Sequence, residues 1–291
     1  MKHQLLAILF CLVCLFPPLA AATSDEEAPR ATVQLSFEAL SEASLGEVWI
    51  QGEGISSAYA AFLDHLYPLF PRPDGSYWGL VAVPMTAAPG QHRLSVLVIY
   101  ADGGEDYWHQ DIQVNAGEFP SAFVTLPATL GDLGDPELTA DELNLLDQYI
   151  GQVSPDPHWL KGLSPPAFPR LGAEFGLYRQ FNGGAWQRHT GVDYPITTGT
   201  PVLAPAAGQV VLVATMPIRG NYILLDHGGG LFSGYAHLSA VLVAQGDRVE
   251  AGQVLGEVGS TGRSTGPHLH WEIALGGVWI DPFDLLAYFP Q

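Results

Sequence analysis

Two short runs hold the residues with the clearest chemical potential. GPHLHWEI, residues 266–273, sets His268 and His270 two positions apart in a run that reads as a β-strand. Strand side chains alternate faces, so both imidazoles point the same way. Upstream, HTGVD places His189 and Asp193 four positions apart. Two imidazole nitrogens and one carboxylate oxygen are a normal zinc shell that leaves a fourth position for water, so the runs point to a hydrolytic metal site.

The other candidates are weighed against that pair. A lone histidine in a β-protein is usually a hydrogen-bonded structural residue, and His65, His92, His109 and His158 read that way. His189, Asp193, His237, His268 and His270 instead come as a set: Gly191 lets HTGVD bend around a metal, and GYAHLS puts His237 at a strand end. There is no H-E-x-x-H helix to supply a glutamate base. A histidine titrates near neutrality and can take that role. Glu272 shares the strand face of His268 and His270, and as a fourth protein ligand it would close the site. His227 and Asp226 read as structural. GSTGRSTG looks like a phosphate loop but has Pro267 after Gly266 where a lysine belongs, and a strand follows. Its glycines shape a tight loop into HLH. Arg263, at the tip, either meets a substrate carboxylate or is solvated.

These residues need a scaffold, and the composition allows one. At 291 residues the chain has room for two domains, each with its own core. The formal net charge of −19 excludes nucleic acid as a partner, since phosphate backbones are bound by Lys and Arg that displace counterions. Met1, Lys2 and His3, an apolar run from Leu5 to Leu19 and small residues Ala20 to Ala22 have the layout of a secretory signal peptide, residues 1–22. A membrane anchor is the rival reading, although the run is short and broken by Pro17 and Pro18. Both cysteines, Cys11 and Cys14, fall inside it, so the exported chain would hold neither disulfides nor thiolate zinc sites. The expectation is an exported protein, periplasmic or extracellular, with no stable membrane span once the signal is cleaved.

Residues 31–126 run as short β-prone segments between Gly and Pro turns, which predicts an Ig-like β-sandwich. Residues 127–168 read as a spacer: a helix through Ile150 with Thr139 as N-cap and Glu142 at the capping-box position, then a Pro-rich linker. From residue 169 to 291 the pattern is again β, with HLHWEI among glycine-punctuated strands. The fold class is all-β.

Taken in order, HTGVD, YAH and HLH resemble the pattern of the lysostaphin/LytM-type zinc endopeptidases of peptidase family M23. The flanks EFGLYRQFNGG, GTPVLAPAAGQVV, GNYILLDHGGG and GSTGRSTGPHLHWEI are similar too, and residues 31–126 resemble, more weakly, the β-sandwich module that often precedes that domain. The resemblance implies an antiparallel peptidase domain of the duplicated hybrid motif-like type over 169–291. It implies that His189, Asp193 and His270 bind Zn²⁺ and that His237 and His268 form the catalytic pair, His268 as candidate base, the two open to sharing the work. The implied substrates are stem or cross-bridge peptides of bacterial peptidoglycan. Some domains of the family have lost ligands and regulate other wall hydrolases; this chain keeps all five positions. Its GTPVLAPAAGQVV and GDRVEAGQVLGEVG segments are also similar to the hairpins of biotinyl and lipoyl carriers, but those need a tip lysine, and after residue 22 the only lysine is Lys161.

Overall fold

A computed structural model describes residues 29–167 and 172–289. The expected signal segment lies outside the described residues. Among those residues, no helix is long and apolar enough to cross a membrane.

Eight strands, β1 (Ala31–Leu35), β2 (Ala39–Ser41), β3 (Leu45–Gly52), β4 (Ile55–Phe62), β5 (His65–Pro71), β6 (Tyr77–Ala82), β7 (Gly90–Tyr100) and β8 (Glu105–Asn115), join in the order β1-β3-β6-β5-β4-β7-β8-β2. β5 belongs to both halves: His65 to Leu69 pair with β4, and Phe70 and Pro71 pair with β6. Period-2 alternation turns Val48 and Ile50, Ala58, Ala60 and Phe62, and Leu94, Val96 and Val98 into one core. The unit is all-β, as the fold class requires.

Its last expected strand lies elsewhere. β9 (Ser121–Val124) runs parallel to β10 (Tyr178–Phe181), which pairs with β11 (Trp186–Arg188). SAFVTL reads as a strand, but its partner is more than fifty residues away, and strand pattern alone does not reveal pairing.

The main sheet of the second unit contains β12 (Gly191–Tyr194), β14 (Gly208–Met216), β15 (Gly220–Asp226), β16 (Leu231–Leu238), β18 (Arg248–Val249), β20 (Leu269–Leu275) and β21 (Val278–Ile280). Its order is β12-β20-β16-β15-β14-β18, with β21 also on β20. A small sheet, β13 (Pro201–Leu203), β19 (Val254–Glu257) and β17 (Ala240–Val241), lies beside it. β16 and β20 are buried along their whole length. One face of β20 sends Leu269, Trp271, Ile273 and Leu275 into the core shared with the N-terminal strands. The other face carries His270, Glu272 and Ala274.

Helix α1 (Pro136–Ile150) covers that second face. Its N-cap is Asp135, which accepts from Glu137 N–H, and Pro136 sits at the first helical position, where its missing N–H costs nothing. Thr139 is therefore inside the helix, and the expected capping box does not form. Glu142, Leu146 and Ile150, at i, i+4 and i+8, are the buried stripe. The two apolar ones pack with Leu212, Met216, Tyr222, Leu224 and Phe232. The helix is thus not a spacer but part of the second unit.

The Pro-rich stretch after it is anchored as well. Trp159 is fully buried, donates from Nε1 to Gly228 O at 2.9 Å, and packs against Phe70, Trp78 and Phe289. One indole therefore joins N-terminal strands, connector and C-terminal end. Helix α2 (Pro282–Leu286), N-capped by Asp281, closes the described chain.

Candidate metal centre

Sheet register brings the candidates together. Asp193 on β12 is paired with His270 on β20, and His270 with Ala236 on β16, next to His237. His189 precedes β12 and His268 precedes β20. All five side chains line one cleft of about 310 Å³.

His189 Nε2, Asp193 Oδ1 and His270 Nδ1 converge, at 3.0 Å (His189–Asp193), 2.9 Å (His189–His270) and 2.8 Å (His270–Asp193). The other nitrogen of each ring fixes the tautomer. His189 Nδ1–H donates to Glu174 O at 2.7 Å, and His270 Nε2–H donates to Glu272 Oε1 at 3.1 Å. With both protons directed outward, His189 Nε2, Asp193 Oδ1 and His270 Nδ1 would present their lone pairs to one cation. Donor atoms around a tetrahedral ion with bonds of about 2.0–2.1 Å would lie roughly 3.3 Å apart, so the cluster fits Zn²⁺ after opening by a few tenths of an ångström. The other carboxylate oxygen, Asp193 Oδ2, is held by Arg179 Nη2 at 2.5 Å.

His237 and His268 stand beside this cluster. Their rings are 4.5 Å apart, and His268 Nε2 lies 3.8 Å from Asp193 Oδ1. His237 Nδ1–H donates to Thr261 O at 2.8 Å and His268 Nδ1–H to Gly266 O at 2.8 Å. In each neutral ring, Nε2 is then the unprotonated nitrogen. His237 has φ +61°, a left-handed conformation unusual for a non-glycine residue. It is held there by its own N–H, which donates to Arg219 O at 2.8 Å, and by the Thr261 bond.

Burial sets the charge states. It pushes the His189 imidazole down to about 4 and lowers His268; it also lowers His237, where the neighbouring His268 and His270 add to the effect. Burial would also lower His270, but Glu272 and Asp193 outweigh it and raise that group. For Asp193, burial acts upward, and His189, His270 and Arg179 together hold the carboxyl well below its usual range.

Glu272 is not turned toward the cluster as a fourth ligand. It is 0% exposed and lies behind His270, accepting from Arg219 Nε at 3.0 Å, Arg219 Nη2 at 2.6 Å, Tyr222 OH at 3.0 Å and Thr190 Oγ1. Its cross-strand neighbours are Gly191 and Gly234. A Cβ on Gly191 would lie 2.3 Å from Trp271 O and 2.9 Å from Glu272 Cγ, and one on Gly234 would lie 2.0 Å from Tyr222 Oη. Gly191 is therefore part of a strand and lets β12 approach the β20 backbone closely, rather than bending the chain around a metal. Arg263 is half-buried and lines the cleft. Its Nη1 donates to Leu133 O, Thr139 Oγ1 and Gln187 Oε1, and the guanidinium lies over Phe181. His227 and Asp226 are structural, as expected: His227 bridges Ala207 O and Ser233 Oγ, and Asp226 accepts from Ser154 and Gly228.

The sequence did not point to Arg179 or Arg219, and it offered Glu142 only as a capping-box residue. The available signal was scarcity. In a chain with 11 Lys and Arg, an arginine inside the apolar run ATMPIRGNYILL calls for a buried partner.

Fold and site together describe an antiparallel β scaffold with a His–Asp–His metal-binding cluster in an open cleft. The model of peptidase family M23 matches residues 187–282. A solved chain of Pseudomonas aeruginosa assigned to peptidase M23 superposes with TM-score 0.61 at 27% identity, covering 80% of this chain and 89% of that one. The DD-carboxypeptidase/endopeptidase Mpg of Neisseria meningitidis is 40% identical over 129 residues, 44% of this chain and 30% of that protein. The peptidoglycan DD-endopeptidase ShyA of Vibrio cholerae is 44% identical over 89 residues, 31% of this chain and 21% of that protein. The matches thus span less than a third of these curated relatives. Residues 187–282 are the part of this chain that is similar to peptidase family M23.

Proposed function

We propose that this chain is an exported zinc metalloendopeptidase that hydrolyses peptide bonds in the stem or cross-bridge peptides of bacterial peptidoglycan. The observation that carries the reading is the convergence of His189 Nε2, Asp193 Oδ1 and His270 Nδ1 on one point, with His237 and His268 beside them in the same cleft. The names of Mpg and ShyA supply the substrate class.

His189 Nε2, Asp193 Oδ1 and His270 Nδ1 would hold the ion. When bound, Zn²⁺ supplies Lewis acidity, polarising the scissile carbonyl and making a water more acidic. Proton handling then falls to the histidines. His268, whose bare Nε2 faces the cluster, takes the proton of the attacking water and returns it to the leaving amine. Its Nδ1–H, fixed on Gly266 O, keeps the ring in the required tautomer and stabilises the imidazolium that forms. His237, with Nδ1–H fixed on Thr261 O, orients the water or, once protonated, donates to the developing oxyanion. Burial keeps both rings neutral before the reaction, ready to accept a proton.

The test separates holding metal from using it. His270→Ala should lose zinc. His268→Ala should keep one zinc per chain and lose turnover by about 10²–10⁴-fold. Near-normal cleavage by His268→Ala would refute the assigned role. A wild-type chain with neither zinc nor chelator-sensitive activity on peptidoglycan would favour a non-catalytic regulator.

A further inference from the structure

Behind the cluster lies a buried chain of charges that no motif announced. Glu142 on α1, Arg219 at the start of the β15 hairpin strand, and Glu272 on β20 are 5%, 4% and 0% exposed. Arg219 grips Glu272 with a two-pronged fork, Nε to Oε2 at 3.0 Å and Nη2 to Oε1 at 2.6 Å. Its remaining nitrogen, Nη1, reaches Glu142 Oε2 at 3.2 Å. Glu142 also accepts from the backbone N–H of Ile218 at 2.6 Å and of Arg219 at 3.2 Å. Two carboxylates and one guanidinium leave this group with one excess negative charge. Glu272 directs that charge onto His270 Nε2, 3.1 Å away.

We infer that helix α1 is a positioning element of the metal centre: Glu142 fixes Arg219, Arg219 fixes Glu272, and Glu272 fixes the His270 ring. This rests on the reading of His270 as a ligand. The turn that Glu142 clamps also matters for the second function of the cleft, because Arg219 O accepts the N–H of His237. One glutamate on the connector therefore fixes both a ligand ring and a proton-handling residue. A lone buried ion pair is weak evidence of stabilisation, since desolvation offsets its attraction. What this one supplies is orientation. Partners behind a ligating histidine set its ring angle and basicity, and their loss typically weakens metal binding about 10–100-fold. The working catalytic unit then begins at Pro136, upstream of the matched residues 187–282.

The experiment measures the Zn²⁺ dissociation constant of the full chain by competition with a chromophoric chelator, and the visible absorption of the Co²⁺-loaded chain. Glu142→Ala should weaken Zn²⁺ roughly tenfold and shift the Co²⁺ bands. The isosteric Glu142→Gln should fall between it and wild type, and it decides the matter if Glu142→Ala does not fold. Leu146→Ala removes packing from the same helix face without touching the charges. It should lower thermal stability with Zn²⁺ affinity within about twofold of wild type. Wild-type affinity and Co²⁺ spectrum in a folded Glu142 variant would overturn the inference. So would an equal loss of affinity in Leu146→Ala. A wild-type chain that takes up no Zn²⁺ would instead sink the reading of the triad itself, and the inference with it.

Discussion

His270 and His227 show how differently two buried histidines can be used. His270 has Glu272 behind it and is raised; His227 has none, and burial pushes it down to about 4. Its Nδ1–H donates to Ala207 O at 2.9 Å, and its Nε2 accepts from Ser233 Oγ at 2.7 Å, so the folded state holds the ring neutral. An unfolded histidine titrates near ~6.5. Between those values the unfolded chain binds the extra proton. The stability His227 contributes is therefore fully present above ~6.5 and is lost as pH falls toward 4, by about 1.4 kcal/mol per pH unit. Urea unfolding of the metal-free wild type and of His227→Asn at pH 7 and pH 5 checks this. The wild-type advantage should shrink by about 2 kcal/mol at pH 5; an unchanged advantage would show that His227 is not held neutral. At this scale the sequence was most legible. HTGVD, YAH and HLH carry their spacing openly, and the cleft collects all five residues. What stayed hidden was every group acting through another. Arg179, Arg219 and Glu142 are far in sequence from what they hold, and no local spacing records such a contact.

Among the elements, the connector departs most from expectation. Its helix was legible as a helix but not as a packing element. The Thr139–Glu142 spacing imitates a capping box, while Asp135 with Pro136 supplies the actual start. Glu142 on the buried stripe of an otherwise apolar i, i+4 series makes sense only with Arg219 in view. β9 was legible as a strand but not as a neighbour of β10, because parallel pairing across the chain leaves no turn signal between the partners. The Pro-rich stretch hides Trp159 for a similar reason: composition indicates extension, and a single buried indole does not alter composition. Trp159→Ala should destabilise the chain by about 3–5 kcal/mol, as large aromatic truncations in a core do. Chemical denaturation gives the number. A loss below about 1 kcal/mol would mean that the connector is loosely attached, contrary to the packing on Phe70, Trp78 and Phe289.

For the whole molecule, the division into N-terminal strands, connector and C-terminal sheet does not describe three independent pieces. Buried side chains from the N-terminal strands and from one face of the C-terminal sheet join in a single cluster, and the connector contributes Trp159 to it. The far face of the sheet, where the cleft opens, is covered by α1, and β9 adds Ala122 and Val124 to the cleft wall. Around the cluster, Arg179 pairs with Asp193 on one side, and Arg219 lies between Glu142 and Glu272 on the other. The proposed activity of this assembly is hydrolysis of wall peptides with a metal held by His189, Asp193 and His270. Mass spectrometry of cross-linked muropeptides incubated with the zinc-loaded full chain tests it most directly. Cross-linked dimers should be converted into monomers with gain of one water per cut, a conversion abolished by chelator and restored by Zn²⁺. Dimers left intact by a folded chain carrying one zinc would contradict it.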